Sequence, residues 1–282
     1  MSSVVLKQID RSKIEWTGPT YNPWQGCTKK SAGCKNCYMY RDKYRYGQDP
    51  TKCVRSAPAT FNKPLKWQRE VEAGVRNGQD CLVFTCSWSD FFNEEADPWR
   101  DEAWEIIRRC PGLQFQILTK LPERISDHLP TFWNEIKARC WMGTSVENQE
   151  NDWRIGELMA VDAPIRFLSI EPQIGPIDLS FEPLAMEYVE NIPVGLSGGG
   201  MGIEWVIVGG ESGPDARPFH EEWATSICDQ CDAAGVAFFL KQYGSNPMRG
   251  GKPIVFKDRM FGGDINEWPE SLRIRQFPKG PQ

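Results

Sequence analysis

Short apolar runs alternate with longer amphipathic stretches over most of the chain. Six stretches of strand length are mainly apolar, and the first of them is a continuous apolar run of the kind buried on both faces of a parallel sheet. They cover residues 81–85, 114–118, 140–143, 164–168, 204–208 and 236–240. A further short strand is predicted at residues 14–16, before the first Gly-Pro turn signal.

Between these runs the apolar positions follow helical spacing. Helices are predicted at residues 38–46, 97–110, 122–139, 149–160 and 221–234, the third being mostly helical and divided into two pieces around Pro130. Asp97 and Pro98 suit a helix N-cap and first turn, and Gly235 suits a helix end. The repeated alternation of strand and helix predicts an α/β fold with a parallel sheet.

Polar residues follow the predicted strands. They are Ser87, Ser89 and Asp90, then Thr119 and Lys120, Ser145 and Glu147, Ser169 and Glu171, Gly209 to Glu211, and Lys241 and Gln242. In a β/α barrel the carboxyl ends of the strands converge on one mouth, where active sites form, whereas a doubly wound sheet places them along a crevice. Their recurrence favours a partial or complete (β/α) barrel of about six to seven parallel strands.

The predicted barrel accounts for residues 1–242 as a single domain. It contains a cysteine-bearing loop at 24–38 and an insertion at about 175–203. The glycines of that insertion precede a strand instead of following one, so they lack the context of a dinucleotide-binding loop. Residues 243–282 are predicted to form a C-terminal extension that either folds across the barrel mouth or stays loosely held.

The composition is that of an ordinary globular protein, with 40% hydrophobic and 25% charged residues. No apolar run approaches the roughly 20 residues of a membrane span, and the N-terminus lacks the apolar core of a signal peptide, so we expect a cytoplasmic protein. The net charge is −5, yet Lys and Arg outnumber Asp and Glu by fifteen to six up to Arg76. This basic part of the chain either forms a solvated face or attracts an anionic ligand such as a nucleotide or carboxylate.

Three of the ten cysteines lie close together in a C-x6-C-x2-C pattern. In a reducing compartment such a cluster indicates metal or redox chemistry more often than disulfides. Cys27, Cys34 and Cys37 suit an iron–sulfur cluster with one open iron, because no fourth ligand lies in the loop. Cys53 as a fourth ligand would give a zinc site, and unligated thiols are the third interpretation. Cys228 and Cys231 are predicted to pack in the core on one helix face.

A three-cysteine loop after the first strand of a β/α barrel resembles the radical S-adenosylmethionine (SAM) superfamily. The resemblance implies a 4Fe-4S cluster on Cys27, Cys34 and Cys37, SAM as second cofactor, and an electron donor such as flavodoxin or ferredoxin. The chain departs from the usual C-x3-C-x2-C spacing of that superfamily. It also has Asn36 where an aromatic residue usually precedes the third cysteine.

Nearly the whole chain resembles the phage gene-product 37/68 family, a domain of unknown function whose reaction is not established. The resemblance rests on short motifs spread along the sequence. They include Ile14-Glu15-Trp16-Thr17, Asn22-Pro23-Trp24, Gly26-Cys27, Gly33-Cys34, Cys37-Tyr38, Leu118-Thr119-Lys120, Ser145-Val146-Glu147, Glu171-Pro172, Val206 to Gly213, Ala216-Arg217-Pro218 and Lys241-Gln242.

The radical-SAM resemblance also implies roles for the residues at the strand ends. Those expected to bind the cofactors are Tyr38, Ser87, Ser89, Asp90, Ser145, Glu147, Gly209 and Gly210. Those left for catalysis on the substrate are Lys120, Glu171, Glu211 and Lys241, together with Arg217. The substrate is unidentified, and a nucleotide or nucleic-acid base is one hypothesis.

Two other functions remain open from the sequence. Glu147, Glu171 and Glu211 could supply a carboxylate pair for a barrel hydrolase of the glycosidase type. Alternatively, the chain is a zinc- or cluster-stabilised module without catalysis that binds nucleic acid or a protein. Four tyrosines among the basic residues of the N-terminal third would suit single-stranded nucleic acid, and they are Tyr38, Tyr40, Tyr44 and Tyr46.

Overall fold

A computed structural model of the chain describes residues 9–179, 202–257 and 261–279. Its centre is a seven-stranded parallel sheet whose strands neighbour one another in chain order. We label these strands β1 (Thr20–Tyr21), β2 (Leu82–Thr85), β3 (Gln114–Thr119), β4 (Cys140–Ser145), β5 (Arg166–Ile170), β6 (Trp205–Gly209) and β7 (Ala237–Gln242). Within the described residues β1 and β7 are the two edges and do not pair with each other. The structure thus confirms the prediction of a partial (β/α) barrel.

Helices connect and cover the strands. They are α1 (Tyr38–Arg45), α2 (Pro58–Phe61), α3 (Lys63–Glu72), α4 (Asp97–Arg108), α5 (Trp133–Ile136), α6 (Trp153–Met159) and α7 (Glu221–Ala234). Proline stands in the first turn of α2, α3 and α4, where its missing N–H costs no helical hydrogen bond. Helix α7 ends at Gly235, whose φ of 68° closes the helix in the left-handed conformation.

Three predicted elements differ from the structure. Residues 14–16 form a turn, and the first strand is β1. Asp97 is the first residue of α4, because Ala96 occupies the N-cap position. Residues 122–139 form mainly short 3-10 segments and the four-residue helix α5. The predicted division around Pro130 is present, because proline lacks the N–H that a continuous helix would need there.

The two faces of the sheet carry different cores. One face packs against the helices, while the other holds a separate aromatic cluster that includes Trp16, Trp141 and Trp205. The ring of Trp205 lies 6.0 Å from that of Trp16 and 5.9 Å from that of Trp141. Toward the strand ends, the same face continues with the small residues Gly143 and Ser145. Aromatic side chains thus fill the base of the partial barrel and leave its mouth to smaller and polar ones.

The C-terminal residues pack against the barrel. The Leu240 amide donates to the Ile274 carbonyl at 3.0 Å, and the Gln276 amide donates to the Phe238 carbonyl at 2.9 Å. Trp268 is only 1% exposed. The described part of the extension is therefore bound along the edge strand β7. The predicted insertion at 175–203 lies mostly outside the described residues.

No helix among the described residues is long and apolar enough to cross a membrane.

Candidate functional site

The cysteine loop leaves the sheet on a short antiparallel ribbon in which Trp24–Gln25 pairs with Val54–Arg55. Trp24 is fully buried and donates its indole N–H to the Asp90 carbonyl at 3.0 Å. Gly26 follows with a φ of 103°, and a β-carbon there would lie 2.7 Å from the carbonyl carbon of Lys52. Glycine is thus required where the chain turns from the ribbon into the loop.

Side-chain hydrogen bonds tie this loop to the strand ends of the barrel. Ser31 donates to Glu147 Oε1 at 2.7 Å, beyond the end of β4. Asn36 donates to Glu211 Oε2 at 3.0 Å, beyond the end of β6. Arg217 donates to the Ala32 carbonyl at 2.9 Å. The loop therefore lies over the mouth of the partial barrel, as the order of elements predicts.

The segment after β2 adds two further contacts to the cysteine loop. Tyr38, the first residue of α1, donates its hydroxyl to the Ser87 carbonyl. Ser89 donates to the Gly26 carbonyl at 2.5 Å. The structure thus brings Tyr38, Ser87 and Ser89 together beside the cysteines, and uses them to position the loop.

Cys27, Cys34 and Cys37 are all free thiols. Burial raises the pKa of Cys27, and Asp90, Cys34 and Cys37 raise it further, whereas Lys120 lowers it. Burial also raises the pKa of Cys37, while the backbone amides of Met39 and Tyr40 at the start of α1 lower it. Cys27 and Cys37 therefore interact electrostatically with Cys34 and with Lys120, and both are protonated at neutral pH without a bound cation.

Within the described ranges, no group of three His, Cys, Asp or Glu side chains is arranged to hold a metal ion. The chemistry of the loop nevertheless fits an iron–sulfur cluster, because its three thiols are unpaired and belong to one loop. A bound cation would favour their thiolate forms and release the protons that burial retains. The predicted metal ligands thus fit as a donor set, and their convergence on a metal stays a prediction.

Glu147 is the most heavily engaged residue of the mouth, and it is completely buried. It forms an ion pair with Lys120, accepts from Ser31, and lies 3.0 Å from Arg154 Nη1 through Oε2. Burial opposes the charge of its carboxylate, yet Lys120, Ser31 and Arg154 outweigh burial and lower the pKa of Glu147. Glu147 therefore stays ionised and joins the loop to β3, β4 and α6.

Asp90 is a second buried carboxylate at the mouth, 6% exposed. Its Oδ1 accepts from Thr119 Oγ1 at 2.6 Å, and its Oδ2 accepts from the Lys120 amide at 2.7 Å. The side chain thereby joins the end of β2 to the end of β3. Asp90 sets the position of Lys120, which in turn faces Glu147.

The remaining acidic residues of the mouth are also paired with cations. Glu171 forms an ion pair with Lys241, at the ends of β5 and β7. Glu211 accepts from Arg217 Nη2 at 2.7 Å and from Asn36. Burial raises the pKa of Glu211, but Arg217 and Asn36 outweigh burial and lower it. Glu171 and Lys241 are each part-exposed, so this pair faces the open part of the mouth.

The two predicted cofactor glycines have different surroundings. A β-carbon at Gly210 would lie 2.6 Å from the carbonyl carbon of Tyr243, so the missing side chain allows two backbone segments to approach. A β-carbon at Gly209 would meet the Glu171 carboxyl at an ordinary 3.4 Å. Gly209 thus belongs to the mouth, whereas Gly210 has a packing role. Ser145 is 3% exposed, and its carbonyl accepts from Arg154 at 2.8 Å.

The sequence did not reveal which side chains would bind the predicted site residues at the barrel mouth. Ser31, Asn36 and Arg154 bind predicted site residues, yet none follows a strand. Arg154 lies on α6, and only the return of that helix toward the strand ends brings its guanidinium to Glu147. An arginine seven residues after a glutamate is a weak signal unless the intervening turn is known.

Cys53, Cys228 and Cys231 lie outside the loop and are buried in the core of the protein. Cys53 is buried in the main core, where burial raises its pKa to about 11. Cys228 and Cys231 are buried on α7, as expected for core packing. The fourth-ligand role considered for Cys53 stays a prediction.

Comparison with known proteins gives one match. A family model described as a protein of unknown function (DUF5131) matches residues 11–267. Neither a curated protein nor a solved structure matches the chain. The expected domain of unknown function is therefore confirmed, and the phage and radical-SAM resemblances stay predictions.

Proposed function

The chain belongs to the DUF5131 family, and we propose that it is an iron–sulfur enzyme of the radical-SAM type. One observation carries the proposal. A loop with three free thiols lies over the carboxyl ends of a parallel partial barrel, where strand-end side chains hold it. Active sites of β/α barrels form at this end. A cysteine cluster with only a structural role would have no need of the barrel mouth.

In this proposal Cys27, Cys34 and Cys37 hold a 4Fe-4S cluster. When bound, cluster and SAM together supply a reductively generated 5′-deoxyadenosyl radical, with the electron coming from a flavodoxin- or ferredoxin-type donor. The chain itself positions the loop and keeps water from it. Ser31, Asn36 and Arg217 fix the loop through Glu147, Glu211 and a loop carbonyl. Lys120 lowers the pKa of Cys27 and Cys37 and so favours their thiolates.

The cofactor contacts proposed for the mouth divide into two sets. Ser87, Ser89, Asp90 and Ser145 already serve the fold through hydrogen bonds, so their contribution is chiefly the shape of the site. The substrate is proposed to meet the ion pair of Glu171 and Lys241, beside Gly209. That pair combines a proton acceptor and a proton donor in a part-exposed position.

A carboxylate hydrolase has less support. A glycosidase needs a carboxylic acid whose pKa is raised so that it can donate a proton. Glu147 and Glu211 have lowered pKa values, and Glu171 is paired with Lys241. Glu147 and Glu211 are thus held in the ionised state by cations, and Glu171 is engaged in an ion pair. The cysteine loop would also have no part in such a reaction.

Iron analysis of anaerobically purified and reconstituted protein tests the proposal. We expect about four irons per chain and the broad visible absorbance of a cluster. The triple variant Cys27→Ala, Cys34→Ala, Cys37→Ala should bind none, while the matched variant Cys81→Ala, at a half-buried thiol outside the loop, should bind the full amount. Zinc in place of iron, or iron retained by the triple variant, would refute the cluster.

The SAM step is tested separately, by adding dithionite and SAM to the iron-loaded protein and measuring 5′-deoxyadenosine. We expect the wild-type protein to release 5′-deoxyadenosine. We expect Lys241→Met to keep the iron and to change the rate at which the substrate, once identified, is converted. A loaded cluster that releases no 5′-deoxyadenosine, with or without candidate nucleotides, would reject the SAM assignment and leave a cluster of another role.

A further inference from the structure

A cleft lined mainly by polar residues lies beside the ribbon that carries the cysteine loop. It consists of two adjoining cavities of about 380 and 510 Å3. Gln25, Gln48 and Thr60 line both, so the two form one continuous groove. Nothing in the proposed cluster chemistry uses this groove.

Lys43 faces the cleft with no close partner for its ammonium. Lys43 on α1 is only 3% exposed and lines the larger cavity. Among the described residues its ammonium has neither a hydrogen bond nor an ion pair, so it can take an anionic partner from the cleft. Asp49 lines the same cavity, and its carboxylate accepts from the Thr51 amide and hydroxyl at 2.9 and 2.6 Å, while Lys52 and Lys43 act on it only through charge. The unpaired ammonium therefore points to an anionic ligand.

The other charges of the cleft fit a ligand with more than one phosphate. Lys52 lines the larger cavity, is exposed, and has no ion pair within the described ranges. Lys63 lines the smaller cavity and is only loosely paired, 3.4 Å from Asp10. The lysines thus extend along the groove instead of gathering at one point. A backbone with regularly spaced phosphates matches this arrangement.

The groove also offers surfaces for bases. Tyr46 is 71% exposed at its edge, and Trp88 lines the same cavity. The side-chain amides of Gln25 and Gln48 have no hydrogen-bond partner in the described part of the chain, so both are free to bind base edges. Aromatic rings interleaved with lysines are the means by which proteins bind single-stranded nucleic acid.

We propose that this cleft binds single-stranded nucleic acid, with phosphates on Lys43 and Lys52 and a base stacked on Tyr46. The cleft reaches the cysteine loop, because Gln25 is two residues from Cys27 and the Trp88 carbonyl accepts from the Gly26 amide at 3.0 Å. A strand bound here would pass close to the barrel mouth. The binding proposal rests on the cleft alone and does not depend on iron or SAM.

Fluorescence anisotropy with a labelled single-stranded oligonucleotide of about ten nucleotides tests it on the full chain. Tyr46→Ala is expected to weaken binding about fivefold or more, since it removes a stacking surface. Tyr44→Ala is the matched control, because Tyr44 on α1 lies two residues before Tyr46 and is 64% exposed but lines neither cavity. Equal affinities of these two variants would overturn the proposal.

Charge variants test the phosphate contacts. Lys43→Met and Lys52→Glu should each weaken binding and lower the slope of log affinity against log salt by about 0.7. Lys252→Glu changes the net charge as much as Lys52→Glu does, but on an exposed strand elsewhere. It should leave the affinity unchanged. Melting temperatures equal to that of the wild type confirm that each variant is folded.

Competitors decide whether the cleft recognises bases or charge alone. The unlabelled single strand should displace the probe at lower concentration than the same sequence as a duplex, or than heparin. Displacement by heparin and duplex at the same charge concentration as the single strand would mean general polyanion binding and would refute the assignment. Absence of any binding by the wild-type chain would refute it as well.

Discussion

Gly33 lies directly against Glu147, so that a β-carbon at residue 33 would fall 2.5 Å from Cγ of Glu147. Gly33 is buried and immediately precedes Cys34, while Glu147 is completely buried beyond β4. The cysteine loop can therefore rest on the barrel only because this position has no side chain. The approach also brings Ser31 within hydrogen-bond distance of the same carboxylate.

Replacing Gly33 with alanine should displace the loop. The glutamate is held by Lys120 and Arg154 and has little freedom to give way. We expect the thiols of the loop to react faster with a water-soluble alkylating reagent, and the melting temperature to fall. Mass spectrometry of the alkylated peptides measures the first effect. Gly156→Ala is the control, since a β-carbon there meets nothing within 4 Å, and its thiol reactivity should match the wild type.

Lys120→Met should destabilise the protein and make the thiols less acidic. The buried carboxylate of Glu147 would lose one of its two cations, at a cost of roughly 1–3 kcal/mol in the free energy of unfolding. Denaturant unfolding measures this loss, and alkylation rates against pH should show a higher apparent pKa for Cys27 and Cys37. The exposed pair of Lys137 and Asp162 gives the control, for which Lys137→Met should cost about 0–1 kcal/mol. Equal losses of unfolding free energy in the two variants would contradict the role of Lys120 in stabilising the buried carboxylate of Glu147.

Glu211→Gln should remove a pH-dependent part of the stability. The pKa of Glu211 is lowered from its usual 4.5, so its contribution is present above that pH and is lost as pH falls through the folded value. The difference in unfolding free energy between wild type and variant should therefore be constant near neutral pH and shrink below about pH 4.5. Glu157→Gln, which removes a carboxylate from an exposed position of α6, is the control. A difference that grows on acidification would have the wrong sign.

Trp268→Ala should show that the C-terminal extension belongs to the folded core. Trp268 belongs to the same buried cluster as Val208 of β6 and Leu240 of β7, and its ring lies 5.7 Å from that of Tyr243, the first residue after β7. Loss of a buried tryptophan costs about 3–5 kcal/mol. Trp153→Ala, at a 50% exposed position, should cost far less in the same denaturant titration. Similar values for the two would mean that the extension contributes nothing to stability.

The sequence alone determined the order of strands and the residues at their ends. A continuous apolar run such as residues 81–85 indicates a strand that is buried on both faces of its sheet. The alternation of such strands with helices indicates that the sheet is parallel. The convergence of Lys120, Glu147, Glu171, Glu211 and Lys241 on one mouth follows from this. The prediction of a strand at residues 14–16 was wrong. Trp16 is buried because it packs in the aromatic cluster at the base of the barrel, and not because it lies in a strand.

Only the tertiary structure decided which side chains meet there. The pairing of Glu147 with Arg154, and of Glu211 with Asn36 and Arg217, depends on how α6 and two loops fold back over the sheet. The spacing of apolar residues along the chain does not predict how these segments fold back, because the interacting residues lie on different elements and contact one another only through the ends of their side chains. The sequence placed three cysteines in one loop. The fold determined that this loop rests on Glu147, since Gly33 leaves room for contact and Ser31 completes it.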